Sequence, residues 1–325
     1  MTLSPLWPAE LEALRPEARG VADSVLPFFA DLMGARDLAP DERFRIQRER
    51  YDELRKPLAD GPAELVLRDI AGRPCRVFVP SGTPRGLYLQ IHGGGWSLGS
   101  PADSDADNLR RCRELGLVVV AAGYRLAPEH RYPAAVDDVF DIARWLLEHA
   151  HQEWGTGRRL AVGGGSAGAH LAVTTALRIR DDLDAIDRVA GMNLSIGLFD
   201  LSGTPSQSGL RVSNGQDVLD PALIQLQVSN FVGDMTLAER RDPRISPMYA
   251  DLRGLPPALV STGYDDHLLD DSLFFAQRLA VAGNDVDLRI YPECNHSFLG
   301  LPTAMTAYAH GVIDRFLVNC FEDVT

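Results

Sequence analysis

The sequence G-G-S-A-G at residues 164–168 decides the fold that we expect for this chain. It follows a short run typical of a strand, residues 159–163, and it precedes a helical pattern over 167–180. A serine between glycines at a strand-to-helix turn is the arrangement of a nucleophile elbow. Glycine leaves room where a Cβ would clash with the neighbouring strand and helix, and the hydroxyl projects at the positive end of the helix dipole. We therefore expect Ser166 to be a nucleophile, although three preceding glycines would also suit a flexible loop.

Around this turn, short β-branched runs alternate with longer amphipathic stretches, which predicts a mostly parallel sheet covered by helices. The predicted fold class is thus α/β, with an eight-stranded sheet flanked by helices. The predicted strands span 64–70, 76–80, 86–92, 117–122, 159–163, 192–196, 258–262 and 287–291. The predicted helices span 103–115, 134–150, 167–180, 270–281 and 303–320.

Two regions fall outside this alternation. Residues 1–60 have a helical pattern without strands, and residues 200–245 are polar, rich in Ser and Gly, with one helical stretch near 221–231. Insertions of this kind usually lie at the end of a sheet where ligands bind. We interpret them as two parts of a helical cap over a core formed by residues 61–199 and 246–325.

A second glycine-rich sequence, H-G-G-G-W at residues 92–96, comes directly after the strand predicted at 86–91. Such a sequence supplies backbone N–H groups that stabilise an oxyanion, each lowering the barrier by ~3–4 kcal/mol. We assign this oxyanion hole to the N–H groups of Gly94, Gly95 and Ala167. A phosphate-binding loop is disfavoured because the sequence has neither G-x-G-x-x-G nor G-K-[ST] at this place. Trp96 either lines the substrate pocket or has a structural role.

A serine nucleophile needs a base, and in α/β hydrolases the order along the chain is Ser, Asp or Glu, then His. Three histidines follow the serine at a useful distance. His310 lies inside the last predicted helix, and His267 lies within an acidic turn. His296 lies in a loop just after the final predicted strand, from which it could reach back over the sheet edge, so we expect it to be the base.

The acid that orients this base should follow the strand predicted at 258–262. Four aspartates are near, and Asp270 and Asp271 fit the first turn of the next helix, where carboxylates oppose the helix dipole. Asp265 and Asp266 lie nearer the end of the strand, and their positions alone leave both open.

Further motifs resemble the hormone-sensitive-lipase family of α/β-hydrolase esterases. They are Y-R-L-A-P-E at 124–129, P-A-A-V-D-D at 133–138 and D-x-L-x-D at 266–270, and the similarity extends over roughly residues 60 to 320. The resemblance implies an α/β-hydrolase fold and carboxylic ester hydrolysis without a metal or other cofactor. It favours Asp266 as the acid, because the family's acid begins the D-x-L-x-D pattern. It also implies that Arg125, Glu129 and Asp137 brace the glycine loop.

The sequence departs from the family pattern at three places. Gly165 precedes the nucleophile where the family usually has an acidic or small polar residue. Ser297 follows the expected base in place of the usual glycine, and His267 follows the expected acid in place of a common proline.

We therefore expect a serine carboxylic ester hydrolase that acts through an acyl-enzyme on short to medium acyl or aryl esters. The same residues could hydrolyse an amide or a carbamate, and an assay on matched ester and anilide substrates would separate these activities. A third hypothesis is a non-catalytic ligand-binding homologue, which is disfavoured because His296 completes the triad.

The composition limits the partners and the location. With 32 Lys and Arg against 45 Asp and Glu, the net charge is −13, which disfavours nucleic acid and anionic lipid. No apolar run approaches the ~20 residues of a membrane span. The four cysteines form no Cys-x-x-Cys pair, and the N-terminus lacks the features of a secretory signal. A cytoplasmic location is therefore expected, with a small-molecule ester as partner, and the family resemblance is compatible with a homodimer.

Overall fold

A computed structural model of the protein describes residues 6–32, 38, 40–54, 62–210 and 219–322. Its central feature is an eight-stranded sheet with the order β1-β2-β4-β3-β5-β6-β7-β8. The strands are β1 Leu65–Ile70, β2 Arg73–Phe78, β3 Gly86–Ile91, β4 Leu117–Ala122, β5 Leu160–Gly165, β6 Val189–Ser195, β7 Ala258–Gly263 and β8 Val286–Tyr291. The strand β2 is antiparallel to β1 and to β4, and all other neighbours are parallel. The predicted α/β architecture is confirmed.

Nine α-helices are present in the described part of the chain. They are α1 Arg15–Leu32, α2 Pro40–Leu54, α3 Asp105–Leu115, α4 Ala134–Trp154, α5 Ala167–Leu183, α6 Pro221–Val232, α7 Leu237–Arg240, α8 Leu269–Val281 and α9 Ala304–Asn319. All five helices predicted for the core are among them, with ends that differ by at most four residues. None of the described helices is long and apolar enough to cross a membrane.

The hairpin between β1 and β2 is tighter than the sequence predicts. Its turn consists of Ala71 and Gly72, both with positive φ (53° and 76°). Pro74, which lies between the two strands predicted from the sequence, is part of β2 and pairs with Asp69. A two-residue turn with positive φ at both positions matches the twist of antiparallel strands, so the second strand begins three residues earlier than predicted.

The two faces of the sheet bury different helices because successive strand residues point to opposite sides. Leu87 and Leu89 of β3 belong to one hydrophobic cluster, which also contains residues of α4, α5 and α8. Tyr88, between them, belongs to a second cluster with residues of α3 and α9. The helices α3 and α9 therefore cover one face, and α4, α5 and α8 cover the other.

The N-terminal region packs on the last part of the chain. Leu11 and Ala18 are buried with Tyr291, Cys294 and Phe298, at the end of β8 and in the loop that follows. The predicted cap region 1–60 is described only for 6–32, 38 and 40–54, and residues 211–218 of the region 200–245 also lie outside the described residues.

The first turn of α8 holds Asp270 and Asp271, as the sequence predicts, but their carboxylates bind another segment instead of the helix end. Asp270 accepts a hydrogen bond from the backbone N–H of Ser206 at 2.8 Å. Asp271 is fully buried. It accepts hydrogen bonds from the N–H groups of Phe199 and Asp200, the hydroxyl of Thr204 and the side-chain amide of Gln207. These bonds fix the segment 199–207 after β6.

The buried carboxyl group of Asp271 should make the stability of the protein depend on pH. Burial raises the pKa of Asp271 to about 7, although its hydrogen-bond donors act in the opposite direction. In the unfolded chain the pKa is near ~3.9, so between about pH 5 and pH 7 the native state holds a proton that the unfolded state releases. The contribution of this group to stability should therefore fall as the pH rises, by up to about 1.4 kcal/mol per pH unit.

The measurement is the free energy of unfolding of the wild type and of Asp271→Asn between about pH 5 and pH 7. The asparagine does not titrate, so the wild-type value should decrease relative to the variant's value as the pH rises. If the difference between the two free energies did not change with pH, Asp271 would be ionised in the native state throughout this range.

Candidate active site

Ser166 lies in the sharp turn between β5 and α5. Its backbone has φ +56° and ψ −122°, a conformation that non-glycine residues rarely adopt. The turn packs on the end of β3, because a Cβ on either Gly164 or Gly168 would lie 2.2 Å from the carbonyl oxygen of Ile91. These two glycines therefore allow the close approach that we expect at a nucleophile elbow. Gly165 differs, since a Cβ there would have no neighbour nearer than 3.8 Å.

This difference predicts opposite results for two matched substitutions. Gly168→Ala should lower the free energy of unfolding by about 1–3 kcal/mol, because the new methyl group forces β3 and α5 apart. Gly165→Ala should change it by less than about 0.5 kcal/mol, because its methyl group would make only ordinary contacts, none nearer than 3.8 Å. Urea unfolding midpoints at equal m-values measure both. If both variants were equally stable, the packing of the turn would be different from that described.

The three predicted triad residues meet at the carboxyl ends of β5, β7 and β8. The Nε2 atom of His296 lies 3.0 Å from the hydroxyl oxygen of Ser166. The Nδ1 atom of His296 lies 2.9 Å and 3.1 Å from the two carboxylate oxygens of Asp266. The Asp266 carboxylate is shielded from solvent, with a side-chain exposure of 0%, whereas that of His296 is 15%. The arrangement can move a proton from the hydroxyl to the imidazole and stabilise the imidazolium that forms.

The structure separates the two candidate acids. Asp266 is 2% exposed and accepts an additional hydrogen bond at 2.9 Å from the N–H of Leu268, which fixes its carboxylate toward His296. Asp265 is partly exposed, and its backbone N–H donates to the carbonyl of Cys294. The bond from Asp265 ties the loop after β7 to the loop after β8, so the acid and the base are held together by their backbones as well.

The N-terminal region adds a second support to the loop that carries His296. Arg15 donates to the carboxylate of Glu293 at 2.7 Å, and Glu293 has a positive φ of 56° at the start of this loop. Trp7 packs edge-to-face against Tyr264 with ring centroids 5.3 Å apart. Residues remote in sequence thus restrain both loops of the proposed proton relay.

The predicted oxyanion-hole residues surround Ser166. Gly94 and Gly95 have positive φ values of 101° and 56° and line the same cavity as Ser166 and His296. No described residue accepts a hydrogen bond from the N–H of Gly94 or Gly95. The N–H of Ala167, the first residue of α5, has no acceptor within its helix, as is normal for a helix start. These three amides are therefore available to a substrate oxygen.

Residues of the Y-R-L-A-P-E motif and of α2 brace the glycine loop, but not all of the expected residues do so. The hydroxyl of Tyr124 donates to the carbonyl of His92 at 3.0 Å. Arg48 of α2 donates both to Glu129 and to the carbonyl of Ser97. The expectation for Asp137 is wrong, because its partner is Arg178 of α5.

The carboxylate that binds Arg125 is that of Asp138, at 2.7 Å. Asp137 and Asp138 are adjacent on α4 and therefore point ~100° apart around the helix, so only one of them can face the loop that carries Arg125.

Trp96 takes the second of its two proposed roles. It is 1% exposed, stacks on Phe231 with ring centroids 4.5 Å apart, and is absent from the cavity wall. Its indole N–H donates to Nδ1 of His170, whose pKa is lowered to about 4 by complete burial. The proposal that Trp96 lines the substrate pocket is therefore corrected, because its side chain is turned into the hydrophobic core.

A cavity of about 460 Å³ lies over the triad. Besides the predicted residues, its wall includes Tyr51 of α2, Ile196 after β6, Leu219 before α6 and Gln227 within α6. No sequence pattern predicts these residues, since a helical pattern shows that a face is apolar but not which cavity it covers. Among the described residues, no group of three or more His, Cys, Asp or Glu side chains could hold a metal ion.

Comparisons with known proteins identify the family of this chain. Residues 88–300 match the model of a family with the alpha/beta hydrolase fold. The carboxylic ester hydrolase LipN of Mycobacterium tuberculosis is 36% identical over 239 residues, which are 70% of this chain and 61% of LipN. This chain thus matches less than two thirds of the length of LipN. Ethyl acetate hydrolase of Pseudomonas putida is 30% identical, over 96% of this chain and 97% of that relative.

A solved structure of a hormone-sensitive lipase from a metagenome library is 29% identical, with a TM-score of 0.77 over 93% of this chain and 98% of that chain. Fold, motifs and relatives therefore agree. The chain belongs to the hormone-sensitive-lipase family of α/β hydrolases, and it is a carboxylic ester hydrolase.

Proposed function

We propose that the protein hydrolyses short to medium acyl or aryl esters through an acyl-enzyme on Ser166. His296 takes the hydroxyl proton as the oxygen attacks the ester carbonyl, and it returns this proton to the leaving alcohol. Asp266 holds the imidazole in the tautomer that has its proton on Nδ1. Water, deprotonated by the same imidazole, then attacks the acyl-enzyme and releases the acid.

One observation carries the proposal, namely the continuous chain of hydrogen bonds from the Ser166 hydroxyl through His296 to Asp266, at 3.0 and 2.9 Å. Both distances lie in the range over which a base removes a proton. The N–H groups of Gly94, Gly95 and Ala167 support it, because they offer donors for the negative charge that develops on the carbonyl oxygen.

The proposed substrate range rests on the size and walls of the cavity. Its volume of about 460 Å³ suits a small molecule. We propose that the regions 1–60 and 200–245 form the cap over it. Tyr51 from the first region and Gln227 from the second line the cavity, which supports this assignment.

The experiment is a panel of p-nitrophenyl esters of graded chain length, together with the anilide of one of the same acids. We expect hydrolysis that is fastest for short to medium acyl chains, with slower cleavage of the matched anilide. Mass spectrometry of the quenched reaction should show an acyl group on the peptide that contains Ser166. Turnover without any acylated intermediate, or anilide cleavage faster than ester cleavage, would contradict the proposal.

The homodimer and the cytoplasmic location suggested by the sequence stay predictions. Sedimentation velocity at several protein concentrations tests the first, and a boundary at the mass of one chain throughout would contradict it.

A further inference from the structure

The cavity continues beyond Ser166 into a polar arm on the face of the sheet that α3 and α9 cover. Gln90 of β3 pairs with Gly163 of β5, which in turn pairs with Asn193 of β6, so these three residues form a row across the sheet. Gly165 pairs with Ser195 in the same way. Residues 163 and 165 share one face of β5 because strand residues alternate. At Gly163 the space that a Cβ would need is taken by Asn193 and the hydroxyl of Tyr88, whereas at Gly165 a Cβ would have no neighbour nearer than 3.8 Å. The missing side chain of Gly165 therefore leaves a groove beside Ser195 that belongs to the cavity.

The walls of this arm carry buried polar atoms that have no partner. Gln90, Asn193 and Ser195 are 7%, 5% and 3% exposed, and all three line the cavity. Among the described residues, the side-chain oxygens of these three residues have no hydrogen-bond partner. Buried polar groups without a partner are rare and costly, which points to a group that completes them when the site is filled.

The orientation of the two amides defines the chemistry that they offer. The NH₂ group of Gln90 donates to the hydroxyl of Ser104 at 3.3 Å, and that of Asn193 donates to the hydroxyl of Tyr88 at 3.2 Å. The amide oxygens are thus left as acceptors, which a hydroxyl group on the ligand would satisfy and a hydrocarbon would not.

Residues of α3 and α9 form the far wall of the arm and add one donor. Arg111 is 6% exposed, and its guanidinium contacts Asp314 at 3.3 Å and His310 at 3.4 Å. Nη1 of Arg111 has no partner among the described residues. Asp107 lines the same end. With a carboxylate beside the guanidinium and acceptors along the walls, the arm favours a neutral hydroxyl over an anionic group.

We propose that the polar arm binds the acyl chain of the substrate and that this chain carries a hydroxyl group at its distal end. The proposal rests on the proposed ester hydrolysis at Ser166. We place the acyl part in this arm because it stays on the enzyme after the alcohol has left. Asn193 lies beside Gly163, and Gly163 is three residues before Ser166 in the chain. At ~3.3 Å per strand residue, the terminal hydroxyl of the acyl chain should therefore bind roughly 10 Å from the nucleophile.

The experiment compares p-nitrophenyl esters of ω-hydroxyhexanoic and heptanoic acid, which have the same number of non-hydrogen atoms and differ only in the terminal OH or CH₃. For the wild type, kcat/KM should be at least about tenfold higher for the hydroxy ester, since a site built for a hydroxyl rejects the analogue that lacks it. p-Nitrophenyl acetate, which is too short to reach Asn193, reports hydrolysis at Ser166 separately.

Two variants and one control locate the effect. Asn193→Leu keeps the side-chain size but removes the acceptor, so the ratio of hydroxy ester to heptanoate should fall to about one or below. In Gly165→Val the new side chain has room at its Cβ and narrows the groove. The kcat/KM of each long ester, divided by that of acetate in the same variant, should therefore be at least about tenfold lower than in the wild type. Thr156→Val removes another buried hydroxyl without a partner, outside the cavity wall, and should keep the wild-type ratio.

A wild type that cleaves the acetate but prefers heptanoate would overturn the polar arm and leave the proposed hydrolysis intact. A folded Asn193→Leu with an unchanged ratio of hydroxy ester to heptanoate would also overturn the polar arm alone. So would a Gly165→Val variant with an unchanged ratio of long esters to acetate. If no p-nitrophenyl ester acylates Ser166, both proposals fall together.

Discussion

The variant Ser166→Ala should lose ester hydrolysis by about 10⁵–10⁶-fold in kcat and keep its fold. Alanine removes the oxygen that attacks the carbonyl, and the oxyanion hole and the cavity then supply only the small residual rate. Stability should stay close to that of the wild type, because a methyl group in place of CH₂OH keeps the backbone conformation at φ +56° and removes only the bond to His296. Hydrolysis of p-nitrophenyl acetate and urea unfolding measure the two effects.

Ser272→Ala is the matched control. Ser272 is a fully buried serine in α8, and its hydroxyl has no hydrogen-bond partner among the described residues. Its loss should leave hydrolysis near the wild-type rate. A Ser166→Ala variant that is folded and retains more than about a hundredth of the wild-type kcat would mean that another group is the nucleophile.

The variant Asp266→Asn should lower kcat by about 10³–10⁴-fold near neutral pH. An asparagine amide in the same place can donate to Nδ1 of His296, which moves the imidazole proton to Nε2. The imidazole then faces the Ser166 hydroxyl with a proton instead of a lone pair, and it cannot act as the base. The asparagine oxygen can still accept the N–H of Leu268, so the loop should keep its geometry.

Asp265→Asn is the control that decides between the two adjacent aspartates. The backbone bond from Asp265 to Cys294 does not involve its side chain, so this variant should keep the two loops together and retain most of its activity. If Asp265→Asn lost more activity than Asp266→Asn, the assignment of the acid would have to be exchanged.

Much of the fold could be predicted because its signals are local. Alternating apolar runs and helical stretches identified all eight strands and the core helices, and the G-G-S-A-G turn placed Ser166 between a strand and a helix. The chain order of the triad identified His296, since only one histidine follows the last strand in a loop. Its contact with the serine also depends on the loops after β7 and β8, which bind each other through backbone groups that no sequence pattern reveals.

Other features could not be predicted because they depend on which way neighbouring side chains point. Asp137 and Asp138 are equivalent in the sequence pattern, and only the phase of α4 on the sheet shows which of them binds Arg125. Trp96 follows three glycines in a loop that exposes backbone amides, yet its own ring is turned into the core against Phe231.

Some features of the polar arm are visible in the sequence. Gln90 and Asn193 are polar residues inside otherwise apolar strands, and the glycines at 163 and 165 have the spacing of one strand face. The strand order, which places β5 between β3 and β6, was needed to bring these residues into one row.

Labelling with a fluorophosphonate, followed by peptide mass spectrometry, tests most directly whether Ser166 is the activated nucleophile of this triad. The wild type should gain one adduct, on the peptide that contains Ser166, and lose its esterase activity in proportion. Ser166→Ala should gain none, and Asp266→Asn should react far more slowly. An adduct on another residue that accounts for the loss of activity, or full activity after Ser166 has been labelled, would contradict the assignment.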